Sequence, residues 1–181
     1  MRNPWRPVAL REVLKPVSRP ETVDPMKEYG CLGVRLDGAG PFLRETNQGS
    51  RIATKTLFRV EAGDFIYSRL FAWRGAFGVI PPELDDCYVS GEFPTFQPVP
   101  GCINVEFLRL WFRLPATLRA VEADCTGSTP LTRNRFKEAF FSALEIPLPA
   151  LSEQRRIVGR IEQLAAKIQE AHNLRDRKSV V

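Results

Sequence analysis

The chain has 181 residues, 44% of them hydrophobic and 26% charged, with a net charge of +5. That is enough for one ordinary globular domain and an appended element, and too short for two comfortable domains. No stretch reaches the roughly 18 apolar residues of a membrane span, and the opening MRNPWRPVALREVLKP lacks an apolar run of signal-peptide length, so a cytoplasmic location is expected.

Pro and Gly punctuate the first 150 residues and predict short strands and loops rather than a helical bundle. The expected strands are 31–36, 53–60, 65–70, 76–81, 87–90 and 94–98. EAGD at 61–64 reads as a turn, with Gly63 supplying the permissive backbone. In the second strand Thr54, Thr56, Phe58 and Val60 share one face and Lys55, Leu57 and Arg59 the other. Its outward side is mixed and suited to touching a partner.

Helices are predicted in the second half. Residues 104–114 place Phe107, Leu108, Trp111 and Phe112 on one stripe, and Pro115 ends that helix or starts the next. A helix over 132–141 has Thr132 as its N-cap and buries Phe136, Phe140 and Phe141, after which residues 144–149 read as an extended, Pro-locked connector. The last segment, 152–177, starts on Ser152 and carries Ile157, Ile161, Leu164, Ile168 and Ala171 at alternating steps of four and three. That is a coiled-coil seam of about two heptads, too short to stand alone. It calls for a second helix, from another copy or a partner, or for folding back on its own domain.

Charge and chemistry narrow the function. Residues 1–60 hold 11 Lys/Arg against 6 Asp/Glu, residues 61–125 hold 5 against 9, and residues 126–181 hold 10 against 6. Two basic flanks around an acidic middle make a phosphate-binding face if the fold brings them together, and ordinary solvated surface if it does not. Cys31, Cys87, Cys102 and Cys125 form no CxxC pair and the one histidine, His172, lies far along the chain. This offers no zinc-ligand spacing and suggests buried free thiols. Catalysis lacks a nucleophile beside a base. The adjacent acids Asp85/Asp86 and Glu122/Asp124 suit solvated turns, and GVRLDGAG lacks the Lys-Ser/Thr ending of a phosphate loop. No cofactor is expected, and the chain is not expected to be an enzyme.

The string IPLPALSEQRRIVGRIEQLAAKI (146–168) closely resembles the boundary found in specificity subunits of type I restriction–modification systems. There a Pro-Leu-Pro, then Glu-Gln-Arg-Arg-Ile-Val run leads from a target-recognition domain into a long helix. VEAGDFIYSRLFAWRGAFGVIP (60–81), VSGEFPTFQP (89–98) and TGSTPLTRNRFKEAFF (126–141) are similar to upstream parts of that family, in the same order. The resemblance implies an α+β chain: a twisted β-sheet target-recognition domain with short helices over 1–149, then one long helix over 150–181. It also implies a non-catalytic DNA-binding subunit that reads one half of a split site and docks methyltransferase and restriction subunits. The family's usual subunit has two such domains and two helices. A half-subunit is expected to dimerise through its helix and read a palindromic site, and a fragment of a longer two-domain subunit is the other expectation.

Arg pairs naturally with guanine, and Asn or Gln with adenine. Three clusters offer those groups: Arg44, Asn47, Gln48, Arg51 and Lys55; Arg69 and Arg74, with Trp73 between them; and Arg133, Asn134, Arg135 and Lys137, after Thr132. Gly38, Gly40 and Gly49 suggest that the first is an exposed loop. Arg69 and Arg74 equally suit ion pairs with Asp64, Asp85 or Asp86, Trp73 suits the core, and the third cluster suits phosphate at a helix start. An RNA-binding reading lacks its aromatic-basic strand signature. A protein-docking remnant or inhibitor without DNA affinity is the remaining alternative.

Overall fold

The computed structural model describes residues 5–125 and 135–178, with side chains up to Arg175. Strand β1 (Arg6–Ala9), the short helix α1 (Leu10–Val13) and strands β2 (Leu14–Val17) and β3 (Pro20–Thr22) open the fold. β4 (Glu28–Arg35), β5 (Gly40–Gln48), β6 (Thr56–Arg59), β7 (Phe65–Tyr67), β8 (Phe77–Val79), β9 (Tyr88–Val89) and β10 (Thr95–Pro98) follow. Helices α2 (Val105–Trp111), α3 (Pro115–Ala123) and α4 (Glu138–Ala143) come next, then β11 (Glu145–Leu148) and the long helix α5 (Leu151–Lys178). The α+β class expected from the sequence is the class found.

These elements stack as layers. A four-stranded sheet in the order β2-β10-β7-β8 lies between short helices on one face and a five-stranded sheet, β3-β6-β9-β4-β5, on the other. β7 shows why. Its three residues are fully buried, but Phe65 and Tyr67 point to the helical side and Ile66 to the other sheet, the two-residue period of a strand covered on both faces. On the helical side Phe77 and Phe112 stack with centroids 4.0 Å apart, Phe96 and Phe141 lie at 4.5 Å, and Tyr67 and Phe141 at 4.9 Å. The Tyr67 hydroxyl donates to the Phe136 carbonyl at 3.1 Å, so the one polar atom of this aromatic cluster is satisfied. Its burial pushes the phenol well above its usual value.

Several sequence expectations shift. The residues from Gly40 to Gln48, expected as a loop, form the longest strand and pair antiparallel with β4. Gly38 and Gly40 do take positive φ, so they build the hairpin turn rather than open a loop. The outward side of β6 is covered: Leu57 is buried with Tyr29 and Tyr88, and Arg59 pairs with Asp86 and, at 2.9 Å, with Glu61. The turn at 61–64 is present, with the Asp64 carboxylate accepting from the Glu61 amide at 3.0 Å. Thr132 lies outside the described residues; α4 starts only at Glu138, with Lys137 at the N-cap position. Phe136 and Phe141 are buried there and Phe140 is exposed, because so short a helix buries a single stripe. None of the four cysteines is fully buried, and Cys102 is exposed.

Both ends of the domain are tied together. The connector at 144–149 becomes β11, paired antiparallel with β1, and Pro7 faces Pro147. Both strands of this two-stranded sheet are edges, where a residue with no N–H to give is tolerated. Ser152 lies inside α5 rather than capping it; the Ala150 carbonyl accepts the first amide bonds, from Glu153 at 2.9 Å and Gln154 at 3.0 Å.

Candidate nucleic-acid interface

The first cluster stands where β4 and β5 pair. Cys31 is opposite Glu45 and Leu32 opposite Leu43, so Arg44 is an extra residue with no partner on β4. Such a bulge breaks the alternation of a strand and re-aims side chains. Its effect is that two sequence neighbours, which a regular strand would send to opposite faces, meet: the Arg44 guanidinium donates to the Glu45 carboxylate, with Nε at 2.9 Å from Oε1. Asn47 follows two residues on, on the face of Glu45.

Arg44, Glu45 and Asn47 line one concavity of about 300 Å3, with Arg51 and Thr54 closing another side. Cys31, Leu32, Leu57, Tyr88, Val89 and Phe93 supply most of the remaining wall. The hydrogen bonds from Arg44, and then that from Asn47, hold the Glu45 carboxyl below its usual value. Burial, with Glu45 nearby, pushes the Cys31 thiol up, so Cys31 contributes shape rather than reactivity.

The other two members of this cluster turn elsewhere. Gln48 donates from Nε2 to the Pro25 carbonyl at 3.3 Å. Lys55 lines a neighbouring depression with Thr22, Pro25 and Ser50. At the corner between them Gly49 packs so closely that a Cβ would lie 1.9 Å from the Asp24 carbonyl oxygen. Glycine at this position is therefore a matter of contact with the neighbouring backbone.

The second and third clusters are largely committed to internal pairs. Arg69 grips Glu138 with two nitrogens, its Nε at 3.1 Å, and also donates to the Gly91 carbonyl. Burial alone would raise the Glu138 carboxyl, but the hydrogen bond from Arg69 leaves it below its usual value. Arg135 grips Glu92 with Nη2 at 2.9 Å and Nε at 3.2 Å. The expected acids serve other groups: Asp64 binds Arg19 at 2.7 Å, Asp86 binds Arg59, and Asp85 accepts from the Ala62 amide at 2.8 Å. Arg74 and Lys137 are exposed, and the Arg74 guanidinium lies 5.8 Å from the Trp73 ring centre. Trp73 is half-buried and donates to the Leu70 carbonyl at 3.1 Å. Arg133 and Asn134 lie outside the described residues.

A larger hollow of about 390 Å3 lies elsewhere, lined by Pro16, Val17, Phe58, Phe93 and Phe96 with Arg69 and Glu138. Most of its lining is apolar, so it offers base edges little to bond with. Glu45 was not among the residues singled out from the sequence. Its position between Arg44 and Asn47 was visible, but the bulge that puts all three on one side was not.

Helix α5 is held at its start and exposed beyond it. Gln154 is fully buried; its Nε2 donates to the carbonyls of Pro149 at 2.9 Å and Cys102 at 3.3 Å, and its Oε1 accepts from the Asn104 amide at 2.8 Å. Asn104 in turn caps α2, accepting from Glu106 at 2.9 Å and Phe107 at 3.2 Å. Val158 is buried and Ile157 half-buried. Farther along the seam, Ile161, Leu164 and Ile168 are 40%, 44% and 58% exposed, and Ala171 is exposed. The helix therefore does not fold its whole seam back onto its own domain. No helix among the described residues is long and apolar enough to cross a membrane.

Comparison with known proteins agrees with this architecture. The HsdS subunit from Thermoanaerobacter tengcongensis superimposes with a TM-score of 0.76 at 22% identity, over 96% of this chain and 45% of that one. A structure described as showing complex assembly and conformational transition of the type I R-M system gives 0.74 at 23% identity, over 98% and 46%. The S subunit of a type I system from M. genitalium gives 0.54 at 16%, over 96% and 44%. The specificity subunit of the type I restriction enzyme EcoAI from Escherichia coli is 37% identical over 73 residues, 40% of this chain and 12% of that subunit. The chain thus spans less than half the length of these relatives. The family model described as type I restriction modification DNA specificity domain matches residues 34–176, and the chain belongs to that family.

Proposed function

We propose that this chain reads one half of a split DNA site through the concavity beside β5 and docks through the exposed seam of α5. Residues 1–149 act as the target-recognition domain and residues 150–181 as the docking helix. The observation that carries this reading is the gathering of Arg44, Asn47 and Arg51 around one concavity. These side chains can address guanine and adenine edges, and an exposed strand with a bulge can present them. Lys55, Arg74 and Lys137, exposed on the surface, hold phosphates, and Arg133, Asn134, Arg135, Gln48 and Arg69 support or extend that contact. Phosphate contacts set affinity and register, while base contacts set the sequence.

The subunit carries no chemistry of its own and places methyltransferase and restriction subunits on the DNA. The seam from Ile157 to Ala171 takes a second helix, from another copy or from a partner subunit. A second reading, a docking protein without DNA affinity, is favoured by the same exposed seam. Selection of bound duplexes from a random pool at moderate salt separates the two, run with the chain alone and with a type I methyltransferase subunit. Two mirrored motifs at a constant gap mean a dimeric reader, and a single motif means a monomeric one. No enrichment in either condition leaves the docking protein.

A further inference from the structure

The concavity holds one group that a phosphate-binding surface would not keep. Glu45 is a carboxylate, its side chain 44% exposed, set between Arg44 and Asn47 in the chain and sharing the concavity with Arg51. A negative charge there weakens any contact with a DNA backbone, whose phosphates carry the same sign. A carboxylate is useful where the ligand presents a donor. In the major groove the donors are the exocyclic amino groups, cytosine N4 and adenine N6.

We propose that Glu45 is a specificity-determining residue that accepts a hydrogen bond from an exocyclic base amino group, cytosine N4 being the better match. This rests on the DNA-reading function proposed above. Three features support it. The β-bulge at Arg44 turns Arg44 and Glu45 to the same side, so an acceptor and a donor fork stand side by side, a pair suited to read adjacent base positions. The Arg44 guanidinium fixes the carboxylate through Nε at 2.9 Å, which limits the rotamer freedom lost on binding. The hydrogen bond from Arg44 holds the Glu45 carboxyl below its usual value and so ionised at neutral pH, and an ionised carboxylate only accepts.

The test is duplex selection with the full chain, unsubstituted and carrying Glu45→Gln or Glu45→Ala. Glu45→Gln keeps size and swaps a pure acceptor for an amide that pairs with adenine N6 and N7. It is expected to move one base position of the selected motif toward adenine and leave the others alone. Glu45→Ala is expected to lower discrimination at that same position about tenfold or more. The slope of affinity against salt should not flatten in either, because no phosphate contact is lost. Thermal unfolding of each variant confirms that the exposed substitution leaves the fold intact. A motif identical to that of the unsubstituted chain in both variants overturns the inference alone. An unchanged motif accompanied only by a changed salt slope overturns it too, and would make Glu45 a modulator of phosphate contacts. If the unsubstituted chain selects nothing, the DNA reading and this inference fall together.

Discussion

Replacing Gln154 by alanine removes three hydrogen bonds at the point where α5 leaves the domain: two to the carbonyls of Pro149 and Cys102, and one from the Asn104 amide. Each is worth about 1 kcal/mol net, and a buried partner left unsatisfied costs more. The loss should reach about 3 kcal/mol, or a fall in Tm of about 6–12 °C for a chain of this size. Gln154→Leu is the sharper version. It keeps the side-chain volume and so removes the cavity contribution, but it leaves the same three backbone groups without partners. Gln154→Glu still accepts from the Asn104 amide, yet turns an acceptor toward two carbonyls. All three variants should be destabilised, and the junction between β11 and α5 should become the first site cut in limited proteolysis. Urea unfolding of the full chain measures the first effect. If Gln154→Leu is as stable as the unsubstituted chain, the junction is held by packing, and the hydrogen-bond account is wrong.

The remaining predictions concern surface and charge. Arg44→Ala or Arg51→Ala should change the selected DNA motif, whereas Lys137→Ala or Arg133→Ala should weaken binding to all sequences alike and flatten its salt dependence; identical effects from both groups would defeat the assignment. Leu164→Asp or Ile168→Asp should abolish self-association or subunit docking in sedimentation while shifting stability by no more than about 0.5 kcal/mol, because both side chains are already exposed. Glu138 is held below its ordinary value of 4.5 through Arg69, so its ionised form contributes stability above that value and loses it as pH falls through the lowered one. The stability gap between the unsubstituted chain and Arg69→Gln should therefore be full near neutral pH and close in acid. A gap that stays unchanged as the pH falls well into the acid range in urea titrations would mean that the pair contributes through shape alone.

Much of the fold was readable where a single local rule governs. The strand at β7, the stripe of α2, the turn at 61–64 and the helix over the last segment all follow from local pattern and turn chemistry. What escaped was set by pairing at long range. β1 exists because β11 lies beside it, some 140 residues later in the chain, and Pro7 and Pro147 read locally as breakers. β5 reads locally as a polar, glycine-flanked loop; pairing with β4 makes it a strand. The ion pairs of Arg69 and Arg135 span 69 and 43 residues, and nothing in local pattern chooses Glu138 and Glu92 over the acids closer at hand.

The same division runs through the site. The Glu-Gln-Arg-Arg-Ile-Val run that carries the family resemblance includes the residues that anchor the helix. Gln154 and Val158 are buried against the domain, and Glu153 pairs with Arg156 at 2.7 Å on the surface. None of them lines the concavity beside β5. Under the proposed function, the run that carries the resemblance and the side chains that would choose a DNA sequence lie in separate parts of the chain: the first fastens a helix, and the second stand on a bulged strand. If the proposal holds, substitutions at Arg44, Glu45, Asn47 and Arg51 should alter the sequence read without loosening the helix, because those side chains are exposed or half-exposed and lie apart from the Gln154 hydrogen bonds. The effects of substitutions at these two places should add independently in a double variant, and coupling between them would mean that the bulged strand and the helix junction are not separate.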